Sequence, residues 1–212
     1  MRALILAGGG LTVTPLLRIL SEAELIIAAD GGLKHARTLG LCPDLIVGDL
    51  DSAQPDDLER FASVEILRYP EDKNYLDLEL ALQAAFDRGA TELRLFGVLG
   101  SRLDQSLAAL FIATRLKSAG VELSLHGATQ DVFLLRGDDQ LELDLPKGQL
   151  FSLLSLTAQS RVSAANALYA LENLGLLYGV GLGVSNRVLK APLRLRVAEG
   201  LVALVLERGD DV

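Results

Sequence analysis

Asp49 and Asp51 stand two residues apart in the stretch Leu41–Ser52, LCPDLIVGDLDS, where a short apolar run ends. Carboxylates on the same side of an extended chain repel each other, so this spacing calls for a compensating positive charge. Asp30 follows another apolar run in Asp30-Gly31-Gly32, and Asp77 closes the segment Glu71–Asp77, EDKNYLD. Together Asp30, Asp49, Asp51 and Asp77 make a strongly negative set that gives nothing back to folding. A hard cation compensates such a set: oxygen-only ligands suit Mg²⁺, which takes a few carboxylates and then bridges substrate phosphates. Lys73 and Arg102 are placed to hold phosphate oxygens from either side. The chemistry outlined is phosphoryl-type transfer, in which positioning and charge neutralisation carry most of the catalysis.

Each residue also has a local structural explanation. Asp30 suits a turn before a helix, and Asp51 or Ser52 suits a helix cap. Asp77 and Asp104 suit the first turn of a helix, where the dipole favours acids. Gly8-Gly9-Gly10 reads as a turn or as a phosphate cradle, and it lacks the lysine of a Walker sequence. Competing chemistry leaves no trace in the sequence. There is no GxxxxGK[ST], no HExxH and no serine nucleophile elbow. His35 and His126 are too few and too scattered for a zinc site, and His35 reads as a helix-surface residue.

The elements that must position these residues alternate. Apolar runs at Ala3–Ala7, Glu24–Ala29, Asp44–Val47, Val64–Arg68, Glu92–Phe96 and Val121–His126 predict strands. Helical patterns fall near Pro15–Leu20, Leu33–Leu39, Pro55–Ala62, Tyr75–Arg88 and Leu103–Ser118. Thr14-Pro15 fits a cap followed by proline, Asn74 and Asp77 have cap spacing, as do Ser101 and Asp104, and Gly89 suits a helix end. The alternation predicts an α/β fold, with an N-terminal doubly wound, mainly parallel sheet over residues 1–126. In such a sheet ligands sit beyond the strand carboxyl ends, which is where the glycines and acids collect. Beyond about Gly127, runs such as VFLLRG, LELDL and LFSLLSLT are short and separated by turn residues. They predict a smaller all-β domain over 127–212, a sandwich or barrel. The final RGDDV reads as a polar tail.

At 212 residues, half of them hydrophobic, the chain is long enough to bury a substantial core. A net charge of -8 with no basic stretch excludes a general nucleic-acid binder. Cys42 is the only cysteine, so there is no disulfide framework and no thiolate cluster. The opening MRALILAGGG is too short for a signal-peptide core and reads as a buried strand, and no apolar run reaches membrane-spanning length. The expectation is a soluble, cytoplasmic protein.

The stretch ADGGLKHARTLGLCPDLIVGDLDS resembles the leading signature of the thiamine pyrophosphokinases: an Asp-Gly-Gly, a Gly-x-x-Pro-Asp and a Gly-Asp-x-Asp-Ser. DKNYLDLELAL is similar to that family's Lys-x-x-Thr-Asp segment, and GVLGSRLDQSLAAL to its Gly-Gly-Arg-x-Asp-His segment. LFSLLSLT, ALYAL and GVSN follow in the family's order, so the resemblance covers nearly the whole chain. It implies an α/β nucleotide-binding domain, a β-rich domain, a homodimer, and pyrophosphoryl transfer from ATP to the thiamine hydroxyl with release of AMP. By position it assigns Asp49, Asp51 and Asp77 to Mg²⁺, with Asp30, Gly31, Gly32 and Ser52 alongside the nucleotide. Lys73 and Arg102 fall to phosphate, Asp104 to organising the site, and Tyr169, Ser185 and Asn186 to thiamine, near the dimer interface. Either Asp77 or Asp51 takes the hydroxyl proton. Four residues depart from the pattern: Leu76 stands for Thr, Gln105 for His, Ala109 for a frequent Asn, and Ser101 for a Gly. They leave open an ordinary enzyme, a diphosphokinase for another hydroxymethyl heterocycle such as a pterin, and a relative that binds nucleotide or thiamine without turnover.

Overall fold

The computed structural model describes residues 1–11, 20, 22–50, 55–70, 74–100 and 102–208. Most of the helix expected near Pro15–Leu20 lies outside the described residues, as do Asp51, Ser52, Lys73 and Ser101. The chain divides into two units, Met1–Ile112 with Gly120–Ala128, and Ala113–Ala119 with Thr129–Val212.

The first unit holds strands β1 (Arg2–Leu6), β2 (Leu25–Ala29), β3 (Leu45–Gly48), β4 (Glu65–Arg68), β5 (Glu92–Phe96) and β6 (Glu122–His126). They lie in the order β6-β5-β1-β2-β3-β4, every pair parallel. Helices α1 (Leu33–Leu39), α2 (Pro55–Arg60), α3 (Asp77–Asp87) and α4 (Leu103–Ser118) fall between the strands. Side chains alternate across a strand, so a parallel sheet covered on both faces needs consecutive apolar residues. Ala3, Leu4, Ile5 and Leu6 are all buried, as that geometry requires. On one face, Leu33 and Ala36 of α1 pack with Leu4, Leu6, Ala28, Ile46 and Phe96. Burying a leucine such as Leu33 contributes about 1.5–3 kcal/mol. Helix α3 buries Leu82 together with Ala81, Ala84 and Ala85, three small residues that let it lie close to β1, β2 and β3. Helix α1 stops at Gly40, whose left-handed φ of 66° lets its N–H reach Ala36 O and Arg37 O.

One expected cap does not form. The residue before α3 is Leu76, extended and without a side-chain capping bond, and Asn74 lies exposed upstream of it. Asp77 is instead the first residue of the helix.

The second unit holds strands β7 (Gln130–Arg136), β8 (Gln140–Leu143), β9 (Leu150–Ser155), β10 (Gln159–Ala165), β11 (Leu171–Leu177), β12 (Asn186–Arg187), β13 (Leu193–Glu199) and β14 (Leu201–Glu207). They form two antiparallel layers, β12-β9-β14-β7 and β11-β10-β13-β8. Phe151, Leu153, Val202 and Leu204 of the first layer pack with Val162, Leu195 and Val197 of the second, giving a sandwich core. The β13–β14 hairpin turns at Gly200, φ 82°, where a Cβ would lie 2.4 Å from Ser160 Oγ. Lys117, at the end of α4, is 1% exposed and reaches Asp139 Oδ2 at 2.8 Å within this unit.

Candidate active site

Strand β1 lies between β2 and β5. The chain therefore builds the sheet outward from β1 in one direction, through β4, and resumes on the other side with β5. Loops leaving β1 and β5 diverge at such a switch point and leave a crevice at the carboxyl ends. A cleft of about 350 Å³ opens there, lined by the turns Gly8–Gly10 and Gly97–Gly100 and by Asp30, Asp77, Arg102 and Gln105.

The glycines are close-approach residues and not merely flexible ones. Gly9 N–H donates to Gly97 O at 2.8 Å, and Ala7 N–H donates to Phe96 O at 2.8 Å, so the turns after β1 and β5 are stitched together. A Cβ on Gly9 would lie 2.4 Å from Gly97 O, and one on Gly97 (φ 70°) would lie 2.3 Å from Ala7 O. A Cβ on Gly32 would fall 1.9 Å from Leu6 O, which is how Asp30-Gly31-Gly32, a 3₁₀ turn after β2, lies against the end of β1.

Gly48, the last residue of β3, marks where the acids meet. A Cβ there would lie 3.2 Å from Asp30 Cβ and 3.2 Å from Asp77 Oδ1. Asp30 from the β2 end and Asp77 from the start of α3 therefore flank the same backbone position, with half-buried Asp49 next in the chain. Asp30 and Leu50 both adopt left-handed backbone, φ 39° and 65°. Such conformations cost non-glycine residues on the order of 1–3 kcal/mol and gather where function fixes the chain. The all-oxygen donor set fits a hard cation such as Mg²⁺. Among the described residues no three Asp, Glu, His or Cys side chains stand close enough to hold a metal by themselves, and Asp51 lies outside them.

Arg102 and Asp104 sit at the mouth, 70% and 64% exposed. Arg102 donates through Nε to Asp104 Oδ1 at 3.0 Å and through Nη2 to Oδ2. That hydrogen-bonded guanidinium holds the Asp104 carboxyl down to about 2, and Arg102 is raised by the same contact. Leu76, Gln105 and Ala109, three of the departures noted in the sequence, line this one cleft.

Three residues bear on the site without having been singled out for it. Ser106 Oγ accepts from Gly100 N–H at 3.1 Å and donates to Arg102 O at 3.1 Å, tying the β5 turn to the start of α4. Lys34 Nζ donates to Gly8 O at 2.7 Å, and His35 Nε2 lies 2.7 Å from Gly9 O. His35 is thus not the surface residue its helix position suggested: it is half-buried, and burial, helped by neighbouring Lys34, lowers its pKa against the opposing effect of the Gly9 bond. Only the adjacency of Lys34-His35 to Asp30-Gly31-Gly32 hinted at this in the sequence.

In the second unit, Tyr169 is 66% exposed, and Ser185 turns with φ 64° while its N–H donates to Ser152 Oγ at 3.1 Å. Asn186 is buried. Its Nδ2 donates to Tyr169 O at 2.8 Å, and its Oδ1 accepts from the N–H groups of Tyr169 and Arg187 at 3.1 and 2.8 Å.

A doubly wound sheet with glycine turns and carboxylates at its switch point, followed in the chain by a β sandwich, defines a two-unit protein with an α/β part and a β part. The chain belongs to the thiamin pyrophosphokinase family: residues 16–125, more than half of it, match the family's catalytic domain. A thiamine pyrophosphokinase of Bacillus subtilis (strain 168) is 23% identical over 205 residues, 95% of this chain and 96% of its own. Among solved structures, thiamine pyrophosphokinase from Bacillus subtilis superposes with a TM-score of 0.85 at 17% identity, covering 99% of this chain and 100% of that one. The Candida albicans thiamin pyrophosphokinase does so with 0.80 at 16% identity, covering 98% and 89%. These likenesses match the expected architecture of an α/β part and a β part.

Proposed function

We propose that the protein transfers a pyrophosphoryl group from ATP to the hydroxyl of thiamine, giving thiamine diphosphate and AMP with Mg²⁺ as cofactor. The observation that carries this reading is the meeting of Asp30 and Asp77 at Gly48, inside a cleft walled by two glycine turns and guarded by Arg102. Asp49, Asp51 and Asp77 would hold Mg²⁺, with Asp30 beside them. When bound, the ion supplies neutralisation of phosphate charge.

The residues divide the remaining tasks. Gly31, Gly32 and Ser52 lie along the nucleotide, where glycine backbone lets phosphates approach closely. Lys73 and Arg102 hold phosphate oxygens, and Asp104 keeps Arg102 oriented through its paired hydrogen bonds. Asp77 or Asp51 takes the proton of the thiamine hydroxyl. The hydroxyl oxygen forms its bond to the β-phosphorus, the bond from that phosphorus to the α–β bridging oxygen breaks, and AMP leaves with that oxygen. Tyr169 and Ser185 of the second unit contact thiamine, and Asn186 acts by holding the Tyr169 backbone. Residues 1–126 thus serve nucleotide, metal and catalysis, and residues 127–212 serve thiamine and association into a homodimer. We propose a cytoplasmic location for the reaction. Among the described residues no helix is long and apolar enough to cross a membrane.

Leu76, Gln105 and Ala109 favour a second reading, in which the acceptor is another hydroxymethyl heterocycle such as a pterin, because all three face the cleft. An acceptor panel with ATP and Mg²⁺ separates the two. Product with thiamine alone supports the first reading, product with the pterin alone supports the second, and tight nucleotide binding without product from any acceptor would make this a non-catalytic relative.

A further inference from the structure

We infer that His35, assisted by Lys34, is a positioning residue for the nucleotide: it fixes the Gly8–Gly10 turn so that the turn meets phosphate in one orientation. The inference rests on the nucleotide site proposed above. Both side chains come from the first turn of α1, which follows Asp30-Gly31-Gly32 directly. Both act on the carbonyl side of the turn, Lys34 Nζ at 2.7 Å from Gly8 O and His35 Nε2 at 2.7 Å from Gly9 O.

A carbonyl oxygen only accepts, so His35 Nε2 carries the proton in this contact. The peptide group is planar and trans, so its C=O and N–H point in opposite directions. Holding Gly8 O toward Lys34 turns the Gly9 N–H the other way, and that N–H donates to Gly97 O at 2.8 Å. Holding Gly9 O toward His35 likewise turns the Gly10 N–H away from α1. Gly10 lines the cleft, and no bond from its N–H to another described residue is present. A backbone N–H fixed toward a cleft in this way is an anion donor. Without the clamp, a run of three glycines has the widest backbone freedom of any tripeptide, and binding phosphate would have to order it.

The two clamps differ in rigidity. Lys34 is exposed, whereas His35 is half-buried, with fewer alternative positions open to its ring. The contact does not depend on ionisation, because Nε2 carries a proton in the imidazolium and in the neutral tautomer that a carbonyl partner requires. Its chemical requirement is one N–H at the Nε2 position, which a glutamine carboxamide supplies and an alanine does not.

The test compares wild type, His35→Ala, His35→Gln and Lys34→Met in steady-state turnover with ATP, Mg²⁺ and thiamine, and in calorimetric titration with ATP and Mg²⁺ alone. His35→Ala is expected to raise KM and Kd for ATP about tenfold, the weight of one hydrogen bond, with KM for thiamine unchanged and kcat within about twofold. His35→Gln is expected to restore ATP affinity to within about threefold of wild type, and Lys34→Met to show a smaller rise than His35→Ala. A fold defect moves both Michaelis constants and is not repaired by glutamine. An unchanged ATP affinity in folded His35→Ala, or a His35→Gln variant as weak as His35→Ala, overturns the inference while leaving the proposed reaction standing. A wild-type protein that binds no ATP overturns both.

Discussion

Gly9→Ala and Gly10→Ala add the same methyl group to adjacent residues of one turn, and the structure gives them opposite consequences. At Gly9 the new Cβ would lie 2.4 Å from Gly97 O, whereas at Gly10 its nearest neighbour would be Ala128 Cβ at 4.0 Å, an ordinary contact. A carbon-to-oxygen contact needs more than 3 Å, so Gly9→Ala must move one turn from the other by roughly 1 Å. That displacement threatens two hydrogen bonds, Gly9 N–H to Gly97 O and His35 Nε2–H to Gly9 O. At about 1 kcal/mol each, the expected loss of stability is ~2 kcal/mol. For a chain of this size that is a fall of about 4–8 °C in Tm. Displacing a positioning element by ~1 Å also costs on the order of a hundredfold in rate. Gly10→Ala should stay within about 0.5 kcal/mol of wild type in stability, since it creates no overlap. Thermal denaturation and the rate of AMP release read both effects. Equal stability and equal rates for the two variants would refute the claim that the β1 and β5 turns are locked by backbone approach.

Asp77→Asn should lower kcat by about a hundredfold or more while leaving the far-ultraviolet spectrum unchanged, because it removes a charge beside Gly48 and little volume. Asp139→Ala should cost about 3 kcal/mol in urea denaturation, since it strips a carboxylate from the buried Lys117 ammonium, and Lys117→Met in the same chain should recover much of that. Burial pushes the Asp139 carboxyl up, but the hydrogen bonds from Lys117 and the Arg136 N–H, with the charges of both residues, together lower it overall. Its stabilising contribution is therefore present above about pH 4 and lost as the pH falls below that, and Asp139→Ala should flatten this acid limb. The Asp104 carboxyl, held down to about 2 by Arg102, is ionised throughout the neutral range. Asp104→Asn should accordingly change KM for ATP by the same factor at about pH 6 and about pH 8, the ordinary carboxyl range lying near 4.

The sequence carried most of what local chemistry determines. Helices α1 and α4 and strand β5 occupy the ranges their apolar patterns predict, because those patterns mark the faces that must be buried and Gly40 offers the left-handed stop that ends α1. The strand ends bearing Gly8–Gly10, Asp30, Asp49 and Gly97 were legible for the same reason, as they follow directly from strand boundaries. What the sequence does not encode locally is partnership across distance. Asn74 had the spacing of a cap, but the chain at Leu76 is extended and α3 begins at Asp77, whose carboxylate is turned to Gly48. His35 looked like a surface residue because its partner, Gly9 O, lies 26 residues earlier. Asn186 bonds the backbone of its neighbour Arg187 and also that of Tyr169, 17 residues earlier, and the second contact has no local signal in the sequence.

The central claim is that the group transferred is pyrophosphoryl, taken at the β-phosphorus. The measurement that tests it most directly follows AMP, ADP and both thiamine phosphates together, using purified protein, ATP, Mg²⁺ and thiamine. The account expects AMP and thiamine diphosphate to appear in equal amounts, and EDTA to abolish both. ADP appearing with thiamine monophosphate would contradict it, because the chain would then be transferring the terminal phosphoryl group alone.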